Sequence, residues 1–164
     1  MPDRATATEL GEEDVQEAFG RAVGALGRRE RSEAEMRELL AARGFAEPVV
    51  DEVVARLIEI SGLDDERYAR LFSEDKRTLS GWGPERIRQA LADHGIRPAA
   101  IDAAVEPESR DEQLERAVAL LGERGGELET DAARARALGF LSRRGFELEL
   151  CYEAVRRAAV LAPE

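Results

Sequence analysis

The chain has 164 residues, with 35 acidic against 24 basic side chains and a net charge of −11. No apolar run reaches the roughly 18 residues of a membrane span, and the single cysteine, Cys151, has no partner for a disulfide framework. Aromatic residues are only 5%, and Ala, Leu, Glu and Arg dominate, which argues against a β-sandwich and for an all-α fold. A pI near 4.8 is a poor fit to a protein held mainly by phosphate contacts. The first ten residues lack the apolar core of a signal peptide, so the cytoplasm is the expected compartment.

Residues 1–11 show no periodicity and read as a flexible N-terminal tail. Val15, Ala18, Phe19, Ala22 and Leu26 then follow one face of a helix, which also contains Gly20, Gly24 and Gly27. Ser32 and Glu35 have capping-box spacing at the start of a second helix. That helix stops at Gly44, and a third spans Glu47–Glu59 before the Ser61-Gly62 break. Tyr68, Leu71, Phe72 and Leu79 mark the next long helix. Pro84 opens a short one, where its missing N–H costs nothing. Pro98–Val105 follows, ending at Glu106-Pro107. Leu114, Ala117, Val118 and Leu121 give a further helix, Thr130 caps another, and Glu147–Leu161 is the last.

These helices repeat. Leu40-Gly44-Phe45, Leu91-Gly95-Ile96 and Leu141-Gly145-Phe146 share one spacing, with the glycines 51 and 50 residues apart. Met36, Ile87 and Ala137 precede at equal offset. Val50, Ile101 and Cys151, then Val54, Val105 and Val155, follow at equal offsets. Leu at C3, Gly at C′ and an apolar C″ are the parts of a Schellman stop. The chain is therefore expected to hold three tandem three-helix repeats, at 12–62, 63–106 and 107–164. Each is too small to carry its own core, so neighbours share contacts in an elongated, curved array.

Catalytic chemistry is thin. The only histidine, His94, sits at a helix C-terminus where Arg43 and Arg144 hold the equivalent places, which has a dipole explanation. Cys151 replaces Val50 and Ile101 and reads as a buried hydrophobe. One Cys and one His far apart support neither a zinc site nor a nucleophile pair. Gly122 to Gly126 reads as a helix stop, since no strand precedes it. Asp64, Asp65 and Glu66 suit a helix N-terminus. Basic pairs at 28–29, 143–144 and 156–157 read as solvated faces. Between Lys76 and Pro98, five cations face two carboxylates, a local excess of +3 around Trp82, the one tryptophan. Trp82, between Gly81 and Gly83, is either a core plug or an exposed anchor. Its window suits phosphate or an acidic protein surface.

The run Leu63 to Ala69, with Arg77, Gly81-Trp82-Gly83-Pro84, Arg86-Ile87-Arg88, Leu91 and His94-Gly95-Ile96, resembles the bacterial RecX family. His94 stands where that family more often has Arg or Lys. The resemblance implies a non-enzymatic regulator built of tandem three-helix repeats. Such a protein binds the RecA–single-stranded-DNA filament and inhibits RecA ATPase, strand exchange and co-protease activity. It would thereby damp recombination, DNA repair and the SOS response. A monomer with no cofactor, no metal and no membrane is implied, touching DNA weakly if at all. The partner-binding candidates are Arg67, Arg77, Trp82, Arg86 and Arg88. Arg67 and Arg86 have an alternative role as structural partners of Asp64, Asp65 or Glu85. Tyr68, Phe72, Ile87, Leu91 and Ile96 are expected in the core.

Two other classes compete. A helical nucleic-acid-binding module would read the major groove with its third helices, but Glu47–Glu59 is acidic and only Glu147–Leu161 ends near a basic pair. A helical adaptor or anti-activator for another protein is the third reading.

Overall fold

Glycine stops set the helix ends. In the computed structural model, which describes residues 4–161, Gly44, Gly95 and Gly145 have φ of 88°, 77° and 93°. This is the left-handed region that L side chains avoid. The Phe45 N–H donates to the Leu40 carbonyl at 3.3 Å and the Gly44 N–H to Ala41 at 3.0 Å. Phe146 to Leu141 and Gly145 to Ser142 repeat both bonds. These are the paired bonds of the Schellman motif, formed at the residues its spacing selects.

Among the described residues the fold is all-α, with nine helices. They are α1 Arg4–Leu26, α2 Glu33–Ala42, α3 Glu47–Glu59, α4 Asp65–Thr78, α5 Pro84–Asp93, α6 Pro98–Val105, α7 Arg110–Arg124, α8 Asp131–Arg143 and α9 Leu148–Leu161. The tail expected over 1–11 is different: residues 4–11 already belong to α1, and only 1–3 lie outside the described residues. Residues 4–10 supply backbone hydrogen bonding to a helix whose apolar face begins at Val15, which periodicity alone does not register. None of these helices is long and apolar enough to cross a membrane.

Two capping details also differ from expectation. Ser32 accepts from the Glu35 N–H at 3.1 Å, but the reciprocal half of the box is missing. The Glu35 carboxylate instead accepts from Arg29 at 2.9 Å and from the Tyr68 hydroxyl at 3.1 Å. The complete capping box lies at Ser109 and Glu112, opening α7. Its carboxylate accepts the Ser109 N–H at 2.7 Å, which holds Glu112 below the usual glutamate range. Thr130 caps α8 through the Ala133 N–H.

The chain divides into two compact units. The first runs to Tyr68 and adds His94–Arg97; the second comprises Ala69–Asp93 and the chain from Pro98 onward. This division cuts α4 after Tyr68, so it follows neither the 62/63 nor the 106/107 boundary. Its cause is local: the Ser32 hydroxyl donates to the His94 carbonyl at 2.8 Å, holding the α5–α6 turn on the start of α2. A Cβ on Gly95 would overlap that of Ala34.

In the first unit α1, α2 and α3 enclose Ala18, Ala22, Met36, Leu40, Val53, Val54 and Leu57. In the second, α7, α8 and α9 enclose Leu114, Ala117, Leu141, Phe146, Leu150 and Cys151. Each large side chain fully buried this way contributes about 1.5–3 kcal/mol. Cys151 is fully buried, and burial pushes its thiol up to about 11, so it packs as a hydrophobe. The second unit has a joint of the same kind as that at Gly95. Gly83 and Glu85 N–H groups donate to the Arg144 and Gly145 carbonyls at 2.6 and 3.0 Å, seating the start of α5 on the α8–α9 turn. A Cβ on either Gly83 or Gly145 would strike backbone there.

Candidate protein-binding surface

Pro84 starts α5, and the three-residue approach Gly81-Trp82-Gly83 leads into it. Gly81 has φ of 63°, and the Trp82 N–H donates to the Lys76 carbonyl at 2.9 Å, closing the end of α4. The chain reversal places Trp82 beside its own helix. Its ring meets Phe72 edge-on at 6.2 Å between centroids and 70° between planes. Lys76 Nζ lies 4.7 Å and Arg86 Cζ 4.1 Å from the same ring centre. Trp82 and Phe72 are both half-buried and Arg86 is exposed. Trp82 is therefore neither a core plug nor a free-standing anchor. Phe72, expected in the core, serves instead as its side wall. Tyr68, Ile87, Leu91 and Ile96 are buried as expected.

Of the five candidates, the fold brings together Trp82 and Arg86 and engages the other three elsewhere. Arg67 lies in the first unit, where it donates to the Ser61 carbonyl at 2.9 Å and to Glu30 at 3.2 Å. Its partner is Glu30, not Asp64 or Asp65; Asp64 instead accepts the Arg67 backbone N–H at 3.0 Å. Arg77 turns inward. It donates to the Ala104 carbonyl at 2.7 Å, completing the C-terminus of α6, and pairs with Glu108 at 3.4 Å. Glu108 is 9% exposed and also accepts two bonds from Arg116, at 2.7 and 3.1 Å. Arg88 pairs with Asp102 across α5 and α6. Arg86 pairs with neither Asp64, Asp65 nor Glu85; one of its nitrogens is 3.4 Å from the Arg143 carbonyl.

Lys76 is the residue that the sequence reading omits from its candidates. Six positions before Trp82, it becomes a neighbour only because Gly81 reverses the chain. His94 is held at its helix end by Tyr68, whose hydroxyl lies 2.8 Å from Nδ1. Burial and nearby Glu35 push the Tyr68 hydroxyl up to about 12. Among the described residues no group of His, Cys, Asp and Glu is arranged to hold a metal ion. The Trp82 surface offers held cations and half-buried aromatic rings, a composition typical of contact points between proteins.

Family models match in two places: the RecX second three-helix domain over residues 64–105 and the RecX first three-helix domain over residues 18–57. The regulatory protein RecX of Stenotrophomonas maltophilia (strain K279a) is 36% identical over 146 residues, which cover 88% of this chain and 86% of that protein. That of Halalkalibacterium halodurans is 35% identical over 117 residues, 71% of this chain. The match spans only 44% of the Halalkalibacterium protein's length. The crystal structure of RecX from Lactobacillus salivarius has the same fold, with a TM-score of 0.80 at 19% identity, covering 92% of this chain and 99% of that one. The first-domain match lies where periodicity alone shows no more than a helical pattern. By both domain matches and by identity along most of its length, the chain belongs to the RecX family.

Proposed function

We propose that this RecX-family chain binds the RecA–single-stranded-DNA filament and inhibits RecA ATPase, strand exchange and co-protease activity without catalysing a reaction. We read the nine helices of the described residues as three tandem three-helix repeats, acting as a cytoplasmic monomer. Family membership across residues 18–57 and 64–105 carries this reading. The Trp82 surface supports it. Arg86 and Lys76 are held over one ring and present charge with little side-chain freedom left to lose. The contact is assigned chiefly to protein, because the chain carries −11 overall and its local cation excess is narrow.

The test is a titration of purified protein into a RecA ATPase assay on single-stranded DNA. Inhibition at or below stoichiometric protein is expected. Trp82→Ala and Arg86→Glu should each weaken it by about tenfold, the scale of an interface hot spot. Arg67, Arg77 and Arg88 hold internal partners, so their replacement should lower thermal stability as well. No effect of the wild-type chain on the cognate RecA sinks the proposal. A normal effect from the folded Trp82→Ala and Arg86→Glu variants removes this surface from it. A major-groove reader is disfavoured because α3 carries Glu47, Asp51, Glu52 and Glu59 against one arginine, Arg56.

A further inference from the structure

An arginine-bearing cavity in the second unit is bordered by Ser80 and Gly81. Its volume is about 550 Å³, and Leu79, Leu120, Glu123, Arg124, Phe140 and Arg144 line it, so Arg124 and Arg144 stand against one carboxylate. Arg77 and Arg116 also border it, but their guanidinium groups are committed to Glu108 and the α6 carbonyls. They add positive potential more than free donors. Arg144 donates through one nitrogen to the Ser80 carbonyl, and its guanidinium carbon lies 4.7 Å from the centre of the Phe140 ring. Arg124 is exposed in the last turn of α7, 5.3 Å from the same ring, and forms no ion pair among the described residues. Two guanidinium groups are thus fixed on one aromatic ring, with donors left over. Beside them Leu79 is 82% exposed, and Leu120 and Phe140 are half-buried.

An excess of cations over the single carboxylate Glu123, beside apolar side chains, sets the chemistry of an occupant. It must bring carboxylates to Arg124 and Arg144 and an apolar side chain to Leu79 and Leu120. We propose that this cavity docks an extended acidic peptide segment bearing an aliphatic side chain, presented by a partner protein. A nucleic-acid strand fits less well. Its bases need an aromatic face to stack on, and the ring here is already engaged by two cations. Its sugar–phosphate backbone also has nothing to place against Leu79. The proposal is independent of the partner's being RecA.

The experiment is fluorescence anisotropy of a short labelled peptide of alternating glutamate and leucine, with the full chain and no RecA present. A glutamine–leucine peptide of the same length and an oligothymidylate serve as competitors. Trp82, the one tryptophan, gives an unlabelled readout close to the cavity. Saturable binding of the acidic peptide is expected, with little competition from either alternative. Arg124→Glu and Leu79→Asp should each weaken binding by about tenfold. Both side chains are exposed, so the variants should keep wild-type circular dichroism, and Arg156→Glu on α9 should bind as wild type. The proposal fails if the acidic peptide binds no better than the glutamine peptide. It fails if both cavity variants bind normally. Displacement by oligothymidylate with equal loss in the variants reassigns the cavity to nucleic acid and overturns it too.

Discussion

A methyl group added at Gly44, Gly95 or Gly145 meets very different surroundings. All three have positive φ, and an L side chain there costs about 1–2 kcal/mol. At Gly44 nothing lies within 4 Å of the new atom, so conformational strain is the whole effect. At Gly145 the atom would also collide with the Arg86 backbone. Gly44→Ala should therefore lower stability by about 1–2 kcal/mol and Gly145→Ala by about 3 kcal/mol or more, measured by urea unfolding. Equal losses would show that only φ matters. The spacing of Leu, Gly and an apolar residue made the stops legible in the sequence. It does not distinguish a glycine that turns a helix from one that also admits a neighbouring backbone. That difference depends on which helix start arrives, and Ala34 and Arg86 carry no mark of it.

Individual helices show where pattern suffices and where it does not. α3 and α6 have the ends that proline and glycine punctuation assigns them, and α9 starts one residue later, at Leu148. α1 is longer than its apolar stripe and contains Gly20 and Gly24 on its exposed side. A Cβ at either has open space, so no packing explains these glycines. Replacing both with Ala should stabilise the chain by up to about 1 kcal/mol each, through helix propensity and a less flexible unfolded state. Thermal unfolding reads this directly, and an unchanged or lower Tm would mean that the glycines serve a contact. The candidate surface was less legible than the helices. Charge density marked the window from Lys76 to Arg97, but not which arginines face outward. Arg77 and Arg86 look alike in the sequence. One is drawn inward because Glu108 and the end of α6 need it, while the other lies over Trp82.

For the molecule as a whole, charge sets how any partner is met. A surface of net −11 repels a phosphate backbone at a distance, whatever its local cations do close in. A protein making 6–10 phosphate contacts loses about 10³–10⁵ in affinity between roughly 50 and 200 mM salt. The proposed RecA inhibition, if carried by protein contacts, should stay within about tenfold over that range. RecA's own hold on DNA must be monitored in the same titration. A steep loss that tracks inhibitor binding would instead indicate direct contact with DNA. The net charge behind this expectation is legible from composition, because a sum over all side chains needs no fold. It could not foretell that Lys76 and Arg86 gather on the Trp82 ring, which requires Gly81 to turn the chain.

The seating of α5 on the α8–α9 turn is made from amide hydrogens and carbonyl oxygens alone. Such a seam is insensitive to sequence drift. Most replacements along it leave the main chain, and so the bonds, intact, while Gly83 and Gly145 must stay because any side chain there would pry the seam open. The joint rests on main-chain bonds and two positions without side chains, so it asks for no particular chemistry from the residues around it.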